Sequence, residues 1–254
     1  MLALTFGDIE ENIFVGKNTR DNWHLFPTSR HMFNPPTQKT TYVEIPGVNG
    51  ALDLSESLTG YPVYNPREGS FEFYVTDDFK PRRTIYNEVL NYLHGKYMKV
   101  VSEETPEYYY EGRFQVSELK SEGAWSSFTI IYKVNPYKRA ITSSITPWIW
   151  DIFNFETGVI VLSEFTHIII SRSTYIDITF PDEYFGNEPI CPYLDVTGTI
   201  TIEYTYQKLN VVTTVTLTDG CYMMPDIIFY GESTYTIKAK GTGLLTIVFT
   251  KGEL

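Results

Sequence analysis

Along most of the chain, apolar and polar residues alternate with a period of two, the pattern of strands that bury one face. Phe71, Phe73 and Val75 share one face of such a run, and Phe128, Ile130, Tyr132 and Val134 share another. Tyr175 to Phe180 alternates in the same way, as does Ile200 to Tyr206, which follows a turn at Thr197-Gly198. Val211 to Leu217, Thr234 to Ala239 and Leu244 to Phe249 complete the set. Between the first two runs the period changes. Ile85, Val89, Tyr92 and Leu93 recur at helical spacing and predict one helix over about Pro81 to His94. Pro81 suits the first turn, and Gly95 suits the left-handed residue beyond the end. His94 is expected to act there as a cation that favours the helix dipole.

The stretch from Arg30 to Asn65 breaks the pattern with Pro35-Pro36, Ile45-Pro46-Gly47-Val48-Asn49-Gly50 and Tyr61-Pro62. Each proline removes a ladder donor, so this density predicts an extended arm or long hairpin outside the core. Asn49-Gly50 is a tight-turn signal, because both residues tolerate positive φ. A long excursion of this kind inside a compact domain is usually an interaction arm or otherwise functional.

The alternation pauses again near Asn135-Pro136-Tyr137-Lys138. With 254 residues the chain suits two domains, expected at 1–140 and 141–254. The first combines strands with the helix and the arm. The second, with regularly spaced strands and no helix, reads as a β-sandwich. Tyr (20) and Phe (16) are abundant and suit a pleated surface, so the fold class is mainly β.

Charge and composition narrow the function. The net charge is −11, with 20 basic and 31 acidic residues, and no cluster of Lys and Arg offers a phosphate-binding patch. Lys80, Arg82 and Arg83 come nearest, but Asp77 and Asp78 stand beside them. Specific nucleic-acid binding and adhesion to an anionic membrane are therefore not expected. No apolar run reaches the roughly 18 residues of a spanning helix. The N-terminus lacks the features of a signal peptide, so synthesis and first residence in the cytoplasm are expected. Two cysteines, Cys191 and Cys221, are too few for a stapled secreted scaffold and are expected to be reduced, buried thiols.

Catalytic chemistry finds no support. His24, His31, His94 and His167 stand at no metal-ligand spacing, so neither metal nor cofactor is expected. The acidic doublets Glu10-Glu11, Asp77-Asp78, Glu103-Glu104 and Asp182-Glu183 read as solvated turns, and no nucleophile elbow or phosphate loop occurs. Trp148 and Trp150, two apart, would share one face of a strand and are the candidates for stacking on a sugar ring. Packing in a core or interface is the favoured account of the pair, with sugar stacking as its rival.

Six ordered segments resemble the Dit (distal tail) family of siphophages that infect Gram-positive bacteria. They are Asn18-Thr19-Arg20-Asp21-Asn22-Trp23-His24-Leu25, Ile45 to Ser55, and Tyr64-Asn65-Pro66-Arg67-Glu68-Gly69-Ser70-Phe71-Glu72-Phe73. The others are Leu93-His94-Gly95-Lys96, Tyr109-Tyr110-Glu111-Gly112-Arg113-Phe114 and Pro136-Tyr137-Lys138. In the second half, Thr242 to Phe249 is similar to the family's closing strand. The resemblance implies an N-terminal ring-forming β domain followed by a galectin-like β-sandwich, a name that records fold and not sugar binding. It further implies a hexameric ring at the phage tail tip. That ring would join the tail tube protein to the tail-associated or tail-tip protein and support receptor-binding proteins.

Under that reading the protein is a virion structural component and not an enzyme. The arm would clasp the adjacent subunit, as a comparable belt does in the family. Pro46, Gly47, Asn49 and Gly50 would shape it, and Leu52 and Leu54 would bury into the neighbour. Arg67 with Glu68, and Arg113 beside Glu111, would fix register by charge-assisted bonds. Acidic residues lining the bore would keep passing DNA from sticking. The alternative function is a carbohydrate-binding module for attachment to the host cell wall.

Overall fold

The structure, a computed structural model, describes residues 3–29, 32–145, 165, 167–180, 186–206, 211–230 and 234–254. Contacts divide the chain into two compact units, Met1–Lys138 with Leu254, and Arg139–Glu253.

The first unit opens with a hairpin of β1 (Leu4–Glu10) and β2 (Ile13–Asn18). Its connection is Glu11-Asn12, with φ of 49° and 66°, the pair of positive values that a type I′ hairpin turn demands. There follow β3 (Phe26–Pro27), the arm strands β4 (Tyr42–Glu44) and β5 (Ala51–Asp53), and β6 (Arg67–Val75). Helix α1 (Arg82–Leu93) leads to β7 (Tyr97–Ser102), β8 (Tyr108–Val116), β9 (Lys120–Glu122) and β10 (Trp125–Val134). An antiparallel sheet runs in the order β2-β1-β7-β8-β10-β6-β3, with β9 added to the start of β10.

The alternating runs put one face of this sheet inward. Phe71, Phe73 and Val75 lie opposite Ile130, Phe128 and Ser126, and α1 covers the same face with Ile85, Val89 and Leu93. Burial of each such helix side chain contributes about 1.5–3 kcal/mol. Trp23 is buried in this core, edge-on to Tyr92 at 5.4 Å, so the signature segment around it anchors the fold. Thr19 Oγ1 accepts the Leu4 N–H at 3.0 Å, and Arg20 pairs with Glu103 at 2.6 Å. Arg20 and the Ala3 N–H together hold the Glu103 carboxyl below its usual range.

Helix α1 follows its predicted span within one residue at each end. Pro81 is the residue before the first turn, and Asp77 Oδ1 accepts the Arg82 N–H at 2.9 Å. Gly95 has φ of 75°, as its place beyond the helix requires. The role foreseen for His94 needs correction. Its Nδ1 accepts the Val116 N–H at 3.1 Å, which takes a free lone pair, so the ring braces β8 instead of serving the helix end as a cation.

In the second unit, β11 (Lys138–Ala140) leads in, and Ala140 donates to Lys251 O at 2.9 Å beside β17 (Gly252–Glu253). A five-stranded antiparallel sheet follows. It comprises β12 (Ile168–Phe180), β13 (Tyr193–Tyr206), β14 (Val211–Leu217), β15 (Gly220–Met223) and β16 (Tyr235–Val248), ordered β12-β16-β13-β14, with β15 on the first residues of β13. At the middle of β13 and β16 stand Gly198, Gly241 and Gly243, with φ of 97°, 132° and 157°. Any Cβ there would meet a facing carbonyl oxygen at 2.0–2.4 Å, so only glycine lets the long strands cross this closely. The sheet curls over a single core that includes Phe165, Phe180, Phe229, Phe249, Leu194 and Ile247. Both units are β structures, and α1 is the one α-helix among the described residues.

The cysteines are both free thiols. Cys191 is half-buried, and burial pushes its thiol up. Cys221 is exposed on β15, against the expectation of burial: its strand pairs on one side with β13, and its side chain faces outward.

Candidate assembly interface

Residues 37–65 form a hairpin that stands apart from the main sheet. Its legs are tied at the base, where Lys39 donates to Val63 O at 2.7 Å and Asn65 to Thr37 O at 2.8 Å. Farther out, β4 and β5 pair only with each other, Tyr42 with Asp53, Val43 with Leu52 and Glu44 with Ala51. Ser55 Oγ accepts the Thr41 N–H at 2.9 Å, and both Ser55 groups donate to Asp53 Oδ1, which draws the Asp53 carboxyl down.

The turn is not the one the sequence suggested. Val48 donates to Ile45 O at 3.1 Å, and Gly47 has φ of 84°. With Pro46 at the second position and Gly47 at the third, this is the composition and geometry of a type II turn. Gly50 also has positive φ, at 83°, but Asn49 does not, so Asn49-Gly50 is no two-residue turn. A two-residue turn would have to join Val48 to Ala51, and the ladder instead ends at Glu44 and Ala51.

The register sorts the hairpin into two faces. Val43 lies directly opposite Leu52, and Ile45 and Leu54 fall on the same side by alternation. Glu44 and Asp53 fall on the other. All four apolar side chains are 37–49% exposed, so the hairpin carries an apolar face that its own chain covers only in part. Val48 and Leu58 are exposed as well. Large apolar groups gathered in this way mark a surface that pairs with something else.

The root of the arm, by contrast, is tightly built. Arg67 is only 5% exposed, and it donates from Nε to Pro136 O at 2.7 Å and from Nη1 to Asn34 O at 3.0 Å. Its guanidinium lies 5.3 Å from the Tyr110 ring centre, and burial lowers its pKa from the usual value. Tyr132 Oη accepts the Asn34 N–H at 2.9 Å, while Phe33 stacks on Tyr110 at 4.1 Å. A Cβ on Gly69 would come within 2.4 Å of Tyr132 Oη, so glycine makes room for this latch.

The expected site residues thus fall into two groups. Pro46, Gly47, Asn49, Gly50, Leu52 and Leu54 are all exposed on the hairpin. Arg67 turns inward to hold the arm's root, and Glu68 pairs with Lys133 at 2.6 Å on the exposed sheet face. Arg113 donates to Gly95 O at 3.1 Å and lies 6.0 Å from the Tyr97 ring centre, while Glu111 accepts from Asn135 Nδ2 at 2.9 Å. Val43, Ile45 and the Phe33–Asn34–Tyr132 root were not singled out from sequence. The alternation Val43-Glu44-Ile45 carried a signal for the first two. Trp148 and Trp150, the sugar-stacking pair, lie outside the described residues.

Clefts also lie among the described residues. One of about 580 Å³ lies beside the start of α1, lined by Asp77, Arg82, Tyr86 and Glu118 among others. The second, of about 320 Å³, lies in the second unit between Tyr204, Asp226, Phe229 and Tyr235. Among the described residues no group of three or more His, Cys, Asp or Glu is placed to hold a metal, and no helix is long and apolar enough to cross a membrane.

No protein-family model matches the chain, and no curated protein matches it. Among solved structures it is similar to the crystal structure of the Dit (gp 19.1) protein of phage SPP1. That protein is described as a paradigm of the hub adsorption apparatus in phages infecting Gram-positive bacteria. The two share 13% of their residues, and the match covers 100% of each chain with a TM-score of 0.60. At that identity the likeness is one of fold, and it joins the motif resemblance of the N-terminal half: from end to end, this chain has the fold of a Dit hub protein.

Proposed function

We propose that the protein is a structural hub of a phage tail tip, whose copies close head to tail into a hexameric ring. The observation that carries this reading is the arm, with a firmly latched root and an apolar face whose side chains stay 37–49% exposed. A ring of identical subunits needs such a heterologous contact, one surface fitting a different surface on the next copy. The end-to-end fold likeness to a phage hub protein supports the same reading, and the six-fold count comes from the family resemblance.

In this account Val43, Ile45, Leu52 and Leu54 bury against the adjacent subunit. At about 25 cal/mol per Å² the burial contributes a few kcal/mol per arm. Glu68 and Arg113 lie on exposed sheet positions and set register, with each surface ion pair worth only about 0–1 kcal/mol. The ring joins the tail tube protein to the tail-associated protein and supports receptor-binding proteins, within the virion. A net charge of −11 suits a channel through which DNA passes without sticking.

Removing 43–54 tests the arm. The shortened chain is expected to keep its fold by circular dichroism and to scatter light as a monomer where the intact chain forms rings. Rings formed by the shortened chain would end the clasp reading.

A further inference from the structure

The arm needs a receiving surface. Strand β2 ends the main sheet of the first unit, so one of its long edges has no neighbour among the described residues. The opposite end of the sheet is treated differently. There Thr28 donates to Glu72 O at 3.1 Å and Asn34 Nδ2 to Glu68 O at 2.9 Å, so the outer edge of β6 is covered by its own chain.

Open edges are normally blunted by charge, proline or brevity. Strand β2 has six residues, no proline and one charge, Lys17. Ile13 and Val15 on it are 66% and 50% exposed. With a two-residue turn at Glu11-Asn12, the pairs Glu10–Ile13, Asp8–Val15 and Phe6–Lys17 are the hydrogen-bonded ones, so Phe14 and Gly16 direct their N–H and C=O groups to the open side.

From this we infer that the open edge of β2 receives the β4–β5 hairpin of a second copy, extending the sheet from one subunit into the next by strand addition. The complementarity has two parts. Backbone groups unpaired on β2 meet those unpaired on the outer edge of the hairpin, which pairs with nothing else. Ile13 and Val15 meet the apolar face of Val43 and Leu52.

This inference rests on the clasp reading, and one experiment separates the two. Val15→Lys places a charge on the open edge without touching the arm, and a chain lacking 43–54 keeps the edge without the arm. Under our account each is a folded monomer by circular dichroism and light scattering. Mixed, they form a one-to-one dimer and nothing larger, because only one arm and one edge remain to meet. Native mass spectrometry reads that species. Rings of Val15→Lys beside monomers of the shortened chain would overturn the β2 site and leave the clasp standing, as would two monomers that fail to pair. Rings of both variants would overturn the clasp itself.

Discussion

Arg67 shows most clearly what a single residue contributes. Its guanidinium bridges two carbonyls from segments far apart in sequence, Asn34 and Pro136, and leaves water to do it. A lysine cannot span both acceptors with a rigid fork, and methionine satisfies neither. Arg67→Met is therefore expected to destabilise the first unit by about 1–3 kcal/mol through unpaired buried carbonyls, read as a lower urea midpoint. Hydrogen exchange at Lys39 and Asn65 should quicken with it, because the base of the arm loses its latch. Little of this was legible in the sequence. Arg67-Glu68 reads as a surface ion pair, and only the meeting of residues 34, 110, 132 and 136 turns the arginine inward. Trp23 is core, held by its contacts with Phe6 and Tyr92.

At the level of elements, legibility followed how local the cause was. The strands were readable because alternation is imposed residue by residue, and α1 because Ile85, Val89 and Leu93 repeat at its pitch. The arm was readable from its prolines, yet its turn was not. Pro46-Gly47 and Asn49-Gly50 are both acceptable turn pairs, and the choice depends on where the β4–β5 ladder stops. Close strand approach is another property that sequence hides. A Cβ on Gly112 would meet Lys133 O at 2.2 Å and Val134 Cα at 2.5 Å, so β8 and β10 touch there across glycine. Gly112→Ala should push these strands apart and cost about 1–3 kcal/mol, seen as a fall in thermal midpoint with the helical signal largely kept.

For the whole molecule, the resemblance in short motifs and the fold likeness point to one fold, that of a Dit hub protein, and under our proposal it acts by fitting against copies of itself. What distinguishes the chain is a latched, apolar arm and an open sheet edge, two unlike surfaces on one subunit, and such a pair generates a closed ring when the rotation between neighbours returns to its start. Native mass spectrometry of the intact chain, joined to negative-stain images of the same sample, tests that claim most directly. The account predicts a species of six times the 29.3 kDa protomer, seen end-on as a ring. A monomer that stays single at every concentration, or a symmetric dimer that grows no further, would contradict it.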